Sequence, residues 1–292
     1  MERLRRSVLF LPGSSQKMIE KAARSEADTI IIDLEDGVST SQKINARQQA
    51  TTALKSLDFG DRERTIRINP LDTPFGRDDL SMVVQGAPDA LVIPKVNSPE
   101  EVAEVDRLLI QAEKEAQLPV GKVKLILLME TPAAIIRANA IAGCCPRISA
   151  LIFGAADYSR EIRGKITPQR LELLYPLNQL LLAARMAGID AIDSPHFAID
   201  DIDGLIQQAQ MAAAMGYDGK GVIHPKQIEP VNRVFTPSLE EIAQAKKILE
   251  AFEKAEREGV GVIALEGQMI ENVHVAIARR TLRIAQKAGL LP

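Results

Sequence analysis

Residues 124–158 read KLILLMETPAAIIRANAIAGCCPRISALIFGAADY. Two short apolar runs stand in this stretch, Lys124–Met129 and Ala150–Phe153. Each stops at a polar sequence: Glu130-Thr131-Pro132 after the first, Gly154-Ala155-Ala156-Asp157-Tyr158 after the second. Brief runs that are apolar at nearly every position suit parallel strands covered on both faces. The segment between them is long enough for the helical crossover that parallel strands need.

The same unit recurs in both directions along the chain. Further runs lie at Ser7–Leu11, Thr29–Leu34, Thr65–Asn69, Ala90–Pro94, Asp190–Asp193 and Gly221–Ile223, which brings the count to eight. The stretches between them read as helices. Pro99–Ala116 aligns Val102, Val105, Leu108 and Leu109 on one face, behind Ser98 as N-cap and Pro99 in the first turn. Pro168–Ala187 repeats leucine at helical spacing up to Gly188. Eight strands alternating with helices predict a closed (β/α)₈ TIM barrel, with an open doubly wound sheet as the alternative. After Pro225 the pattern changes to two helices, Ser238–Glu258 and Asn272–Ala288, with only Val262–Leu265 as a strand-like run between them. This divides the chain into a barrel at 1–229 and a C-terminal helical extension at 230–292.

The 292 residues carry 36 Lys and Arg against 39 Asp and Glu, a formal charge of −3. That balance argues against a broad nucleic-acid surface. With no Trp and 3% aromatic residues, the core must be aliphatic. Cys144 and Cys145 are adjacent, so neither a disulfide framework nor zinc spacing is available. The apolar run after the basic N-terminus ends at Pro12-Gly13, too short for a signal segment or a membrane span. A soluble, reducing, cytoplasmic setting is the default expectation, with neither membrane nor nucleic acid as partner.

Barrel enzymes carry their chemistry at the carboxyl ends of the strands. Here those ends supply Asp33, Glu35, Arg67, Lys95, Glu130, Asp157, His196 and His224. An arginine inside an apolar strand needs a buried anion, which singles out Arg67. Converging carboxylates repel, and a divalent cation is the usual remedy. Glu130 and Asp157, on successive strands, offer hard oxygen ligands suited to magnesium, with manganese as the alternative ion. Asp33 and Glu35 fit this site, but equally a plainer role capping helices or pairing with Arg47. His196 and His224 fit structural and catalytic roles alike.

Taken in order, several of these segments resemble the citrate lyase β-subunit-like branch of the HpcH/HpaI aldolase superfamily, which includes malyl-CoA and citramalyl-CoA lyases. The resemblance runs through Arg6–Gly13, Asp33–Val38, Arg67–Pro70, Met129–Thr131, Phe153–Tyr158, Gly219–Ile228 and Gly267–Ile270. It implies that Glu130 and Asp157 bind the metal, and that Arg67, Glu130, Gly154, Ala155 and Asp157 hold the substrate. It implies CoA contacts at Phe10, Ile223 and His224. Lys17 and Lys21, four apart on a helix, suit the CoA phosphates. It further implies a homotrimer or hexamer in which the C-terminal segment forms a lid over a neighbouring subunit's site. Relatives place a catalytic aspartate after Gly-x-Met-Ile, and this chain has Glu271 there, one methylene longer. Arg67 and Glu271 are the catalytic candidates. The implied reaction is magnesium-dependent cleavage of a 3-hydroxy-3-carboxyacyl-CoA, citramalyl- or malyl-CoA, into acetyl-CoA and pyruvate or glyoxylate. Three alternatives stand beside it. They are a citrate lyase β subunit acting on a citryl thioester of an acyl-carrier protein, a CoA-independent 2-oxo acid aldolase, and a non-catalytic barrel.

Overall fold

The computed structural model describes residues 3–257, 259 and 261–291. Its first compact unit runs to Asn232 and its second from Arg233. In the first, eight parallel strands close into a barrel: β1 (Ser7–Pro12), β2 (Thr29–Asp33), β3 (Glu63–Arg67), β4 (Ala90–Ile93), β5 (Lys124–Met129), β6 (Ile148–Phe153), β7 (Asp190–Asp193) and β8 (Gly219–Val222). Pairing of β8 with β1, Val8 opposite Gly221, completes the ring and excludes the open sheet. Helices α1 (Gln16–Ala22), α2 (Lys43–Ser56), α3 (Gly76–Val84), α4 (Pro99–Glu115), α5 (Pro132–Ile136), α6 (Ala138–Ala142), α7 (Ala155–Glu161), α8 (Leu174–Ala187), α9 (Ile202–Met215) and α10 (Ile228–Val234) connect or follow the strands.

Side chains at alternate strand positions point inward, and each interior layer draws its side chains from alternate strands. The middle of the barrel is aliphatic: Val8, Ile31, Ala90, Val92, Ile126, Leu128, Ala150, Ile152 and Ile192, with Phe10 packed above them. At the amino-terminal end, Arg5 joins Glu63 at 2.6 Å and Asp190 at 2.6 Å, sealing that mouth with ion pairs. The opposite mouth stays open.

Three strands begin earlier than their apolar runs, β3, β6 and β8, with β6 starting at Ile148. β3 starts at Glu63 and β8 at Gly219, because charged residues there are buried as partners. Glu63 meets Arg5, and Lys220 meets Asp193. The helix expected from Pro168 starts instead at Leu174, after a 3-10 turn at Leu171–Leu173. Arg170 stands in the left-handed region (φ 53°) and the Glu172 carboxylate accepts from the Thr167 N–H and hydroxyl, so the chain cannot enter the helix sooner. Cys144 and Cys145 are free thiols.

The second unit pairs helices α11 (Leu239–Arg257) and α12 (Asn272–Lys287) around an antiparallel hairpin, β9 (Ile263–Leu265) and β10 (Gln268–Ile270). Glu258, the expected last residue of the first helix, lies outside the described residues. The hairpin turns at Glu266-Gly267, both with positive φ, as a two-residue turn of that kind demands. Phe252, Ile270 and Val275 form its small core. Among the described residues no helix is long and apolar enough to cross a membrane.

Candidate active site

The register that closes the barrel also assembles its open mouth. Asp33 is paired with Arg67 across β2 and β3, so both reach the same end of the same face. Arg67 donates through Nε and Nη2 to the two Asp33 oxygens, each at 2.7 Å, and its Nη1 lies 3.0 Å from Glu35 Oε2. This fork-to-fork geometry fixes the guanidinium plane. Phe10 flanks it, with the guanidinium carbon 5.6 Å from the ring centroid. Asp33 also accepts from the backbone N–H groups of Glu35 and Gly37, which folds the loop after β2 back over the mouth. Arg47 is engaged elsewhere, with Asp79 and Asp78, so neither Asp33 nor Glu35 is its partner.

Glu35 is held between two cations. Its second pairing is with Lys95, 2.8 Å from Oε1. Lys95, two residues beyond the end of β4, adopts a left-handed backbone (φ 53°). That conformation, costly for a non-glycine residue, lets its backbone N–H donate to Glu130 Oε1 at 2.9 Å while its ammonium reaches Glu35. Glu130 is 2% exposed. Gly154 leaves room for it: a Cβ there would come within 2.3 Å of the Glu130 Cβ. Asp157 sits in the first turn of α7, with Arg160 at 2.6 Å on the rim.

The electrostatics report a shortage of positive charge. Burial pushes the Glu130 carboxyl up to about 8, and the nearby Glu35 and Asp157 add to the rise more than Arg67 and the Lys95 N–H offset it. Burial also raises Glu35, against the opposing pull of Arg67 and Lys95. A bound cation beside Glu130 and Asp157 would reverse this. Among the described residues no three His, Cys, Asp or Glu side chains form a metal-holding group. Two carboxylates, with the other positions left to water and substrate oxygens, fit magnesium and do not fit a structural zinc site.

Asp33, Arg67, Glu130 and Asp157 line one cavity of about 340 Å³, within the size range of small-molecule sites, while Glu35 and Lys95 are not part of its lining. Of the residues singled out in the sequence, Phe10, Arg67, Glu130, Gly154, Ala155, Asp157 and Ile223 all line it. Lys17 and Lys21 lie exposed on α1, outside the lining. His224 caps the turn after β8, its Nδ1 accepting from the Lys226 N–H. His196 meets Asp201 at 3.1 Å. Glu271 belongs to the second unit, at the N-cap of α12. Sequence reasoning assigns no role to Lys95, which holds Glu35, and does not single out Phe197, which lines the cavity. The signal for Lys95 was its place at a strand end. For Phe197 there was none, since it lies in the irregular segment beyond β7.

Comparison with known proteins first gives the class. A family model described as a C–C bond lyase of the TIM-barrel fold matches residues 178–290, and the chain is an enzyme of the carbon–carbon lyase class. More specifically, the chain belongs to the HpcH/HpaI aldolase/citrate lyase family, whose model matches residues 6–225. It is 37% identical to the citrate lyase subunit beta of Leuconostoc mesenteroides subsp. cremoris over 290 residues, 99% of this chain and 96% of that protein. It is 40% identical to a (3S)-malyl-CoA thioesterase of Cereibacter sphaeroides over 281 residues, 96% of this chain and 94% of that protein. Among solved structures, CitE of Mycobacterium tuberculosis in complex with magnesium, acetoacetate and coenzyme A is similar at a TM-score of 0.78. That likeness has 30% identity and covers 98% of this chain and 100% of that one.

Proposed function

We propose that this chain cleaves a 3-hydroxy-3-carboxyacyl-CoA, citramalyl- or malyl-CoA, into acetyl-CoA and a 2-oxo acid. The observation that carries the reading is the convergence of Arg67, Glu130 and Asp157 on one cavity at the carboxyl-terminal mouth. Glu130 and Asp157 would hold magnesium, as the CitE relative is crystallised with that ion. The ion supplies Lewis-acid polarisation of the hydroxyl oxygen when bound. Arg67, held flat by Asp33, donates to the oxygen that becomes the oxo group and stabilises its charge as the bond between C2 and C3 breaks. The hydroxyl proton leaves to solvent water as the carbonyl forms, the electron pair of the C2–C3 bond passes to the thioester as an enolate, and a proton delivered to C2 then completes acetyl-CoA. Gly154 and Ala155 bring backbone to the substrate carboxylate at the start of α7.

Glu271 is the proposed source of that proton, delivered by the C-terminal unit acting as a lid on a neighbouring subunit of a trimer or hexamer. Support comes from the apolar side chains this unit leaves exposed, Met269, Val273 and Ile277. Lys17 and Lys21 are the proposed phosphate contacts, with Phe10, Ile223 and His224 along the thioester arm. A second reading, a citrate lyase β subunit acting on a carrier-bound citryl thioester, draws support from the 37% identity to that protein over nearly the whole chain.

The test is a panel of malyl-, citramalyl- and citryl-CoA with and without magnesium, followed by product identification. Acetyl-CoA with pyruvate or glyoxylate is expected. Free CoA with the intact hydroxy acid would mean hydrolysis instead, and turnover only of carrier-bound citryl would move the chain to the second reading. Calorimetry should show magnesium binding lost in Glu130→Ala; undiminished binding would remove Glu130 from the ligands.

A further inference from the structure

The segment after β7, Ser194-Pro195-His196-Phe197, is tied down at almost every residue. The Ser194 N–H donates to Asp193 Oδ1 at 2.8 Å, its Oγ accepts from Arg170 at 3.1 Å, and its carbonyl accepts from Lys220 Nζ at 2.7 Å. Beneath it, Asp193 pairs with both Arg170 and Lys220 at 2.6 Å, all three nearly inaccessible to solvent. Pro195 lies directly on β8. A Cβ at Gly221 would come within 2.8 Å of the Pro195 Cγ, so only glycine allows this contact. The His196 carbonyl accepts from the buried Gln227 at 2.9 Å.

Phe197, the next residue, is 53% exposed. A large apolar side chain thus stands half-exposed on a rigid base. It lines the catalytic cavity, and it also lines a second cavity of about 300 Å³ bounded by Ile166, Pro168, Leu173 and Gln208. Ala155 and Pro195 are the other two residues common to both cavities. Ala155 starts the helix that carries Asp157, so the shared wall stands beside the proposed metal ligand.

We infer that Phe197 is a specificity-determining partition, which sets the upper length of the 2-oxo acid by closing the catalytic cavity off from the second one. The inference rests on the reading that the catalytic cavity takes a 2-oxo acid. A wall of this kind acts on the substituent beyond the oxo carbon. Pyruvate fits within the first cavity, whereas each further methylene presses on a ring whose base cannot yield. Discrimination of at least about tenfold per methylene is the scale for a rigid apolar pocket.

The experiment compares the full-length wild type with Phe197→Leu and Phe197→Ala, in magnesium. Calorimetry measures binding of pyruvate, 2-oxobutyrate and 2-oxovalerate, and the same acids are tested as condensation partners for acetyl-CoA. Wild-type affinity should fall steeply along the series. The slope should flatten in Phe197→Leu and vanish or reverse in Phe197→Ala, for binding and for kcat/KM alike. Parallel slopes in all three proteins would overturn the partition. So would a change confined to the KM for acetyl-CoA, which would place Phe197 on the thioester arm. A wild type that binds the series but turns over no thioester would count against the lyase reading, while the binding slopes would still judge the partition. A wild type that binds none of the acids would overturn the partition.

Discussion

Arg67 has a structural duty and a proposed catalytic one, which a pair of substitutions separates. Two of its nitrogens are bonded to Asp33 and a third lies against Glu35, so it neutralises carboxylates that are themselves nearly inaccessible. Removing the charge leaves the Asp33 carboxylate without its cation and Glu35 with Lys95 alone, at a cost of about 3–5 kcal/mol. Arg67→Ala should therefore lower the denaturant midpoint as well as reduce kcat/KM by about a thousandfold or more. Arg67→Lys keeps the charge and loses the planar fork, so stability should largely return while turnover should not. Equal recovery of both would assign Arg67 to the structure alone. The sequence made Arg67, Glu130 and Asp157 legible because a charge at the end of an apolar strand is unexpected without a use. It could not reveal that Glu35 bridges Arg67 and Lys95. That contact depends on a left-handed turn at a lysine, a conformation for which lysine carries no signature.

At the level of the elements, the strand runs and their crossovers were legible from apolar content, while the buried ion pairs beside them were not. β8 opens with Gly219-Lys220, ahead of the apolar run that begins at Gly221. Yet Lys220 is fully buried against Asp193 from β7 and Arg170 from the preceding loop. The pairing shows itself only once two strands distant from that loop are adjacent. Its energetic consequence is a pH signature. Burial alone would raise the Asp193 carboxyl, but Lys220 and Arg170 outweigh it and hold the group at about 2. A carboxyl depressed in the folded state contributes stability that is fully present above its unfolded value. That contribution is lost as pH falls through the unfolded value toward about 2. The shift corresponds to roughly 2 kcal/mol. Asp193→Asn should be less stable than wild type at neutral pH, because the buried Arg170 and Lys220 then lose the anion that compensates them. The gap between the two proteins should narrow by about that amount between pH 5 and pH 2. Denaturant melts across this range decide the matter, and a gap that does not change with pH would mean that Asp193 is not ionised in the fold.

For the whole molecule, the question is how a barrel with the proposed metal ligands Glu130 and Asp157 and the proposed oxyanion-binding Arg67 would obtain its acid. Glu271 belongs to a separate compact unit, built on its own small core of Phe252, Ile270 and Val275. A unit of some sixty residues with exposed Met269, Val273 and Ile277 has reason to bury that face against another surface. If the lid is exchanged between subunits, each active site combines Arg67 from one chain with Glu271 from another. Arg67→Ala and Glu271→Ala would each be inactive alone. Mixed oligomers, formed by dissociating and reassembling the two variants together, would nevertheless contain sites with an intact barrel from one and an intact lid from the other. Random exchange in a cyclic assembly makes about a quarter of the sites complete. Recovery of turnover near that fraction is therefore expected on mixing. If each lid served its own barrel, every site would keep one defect, and the mixture would stay as inactive as its components.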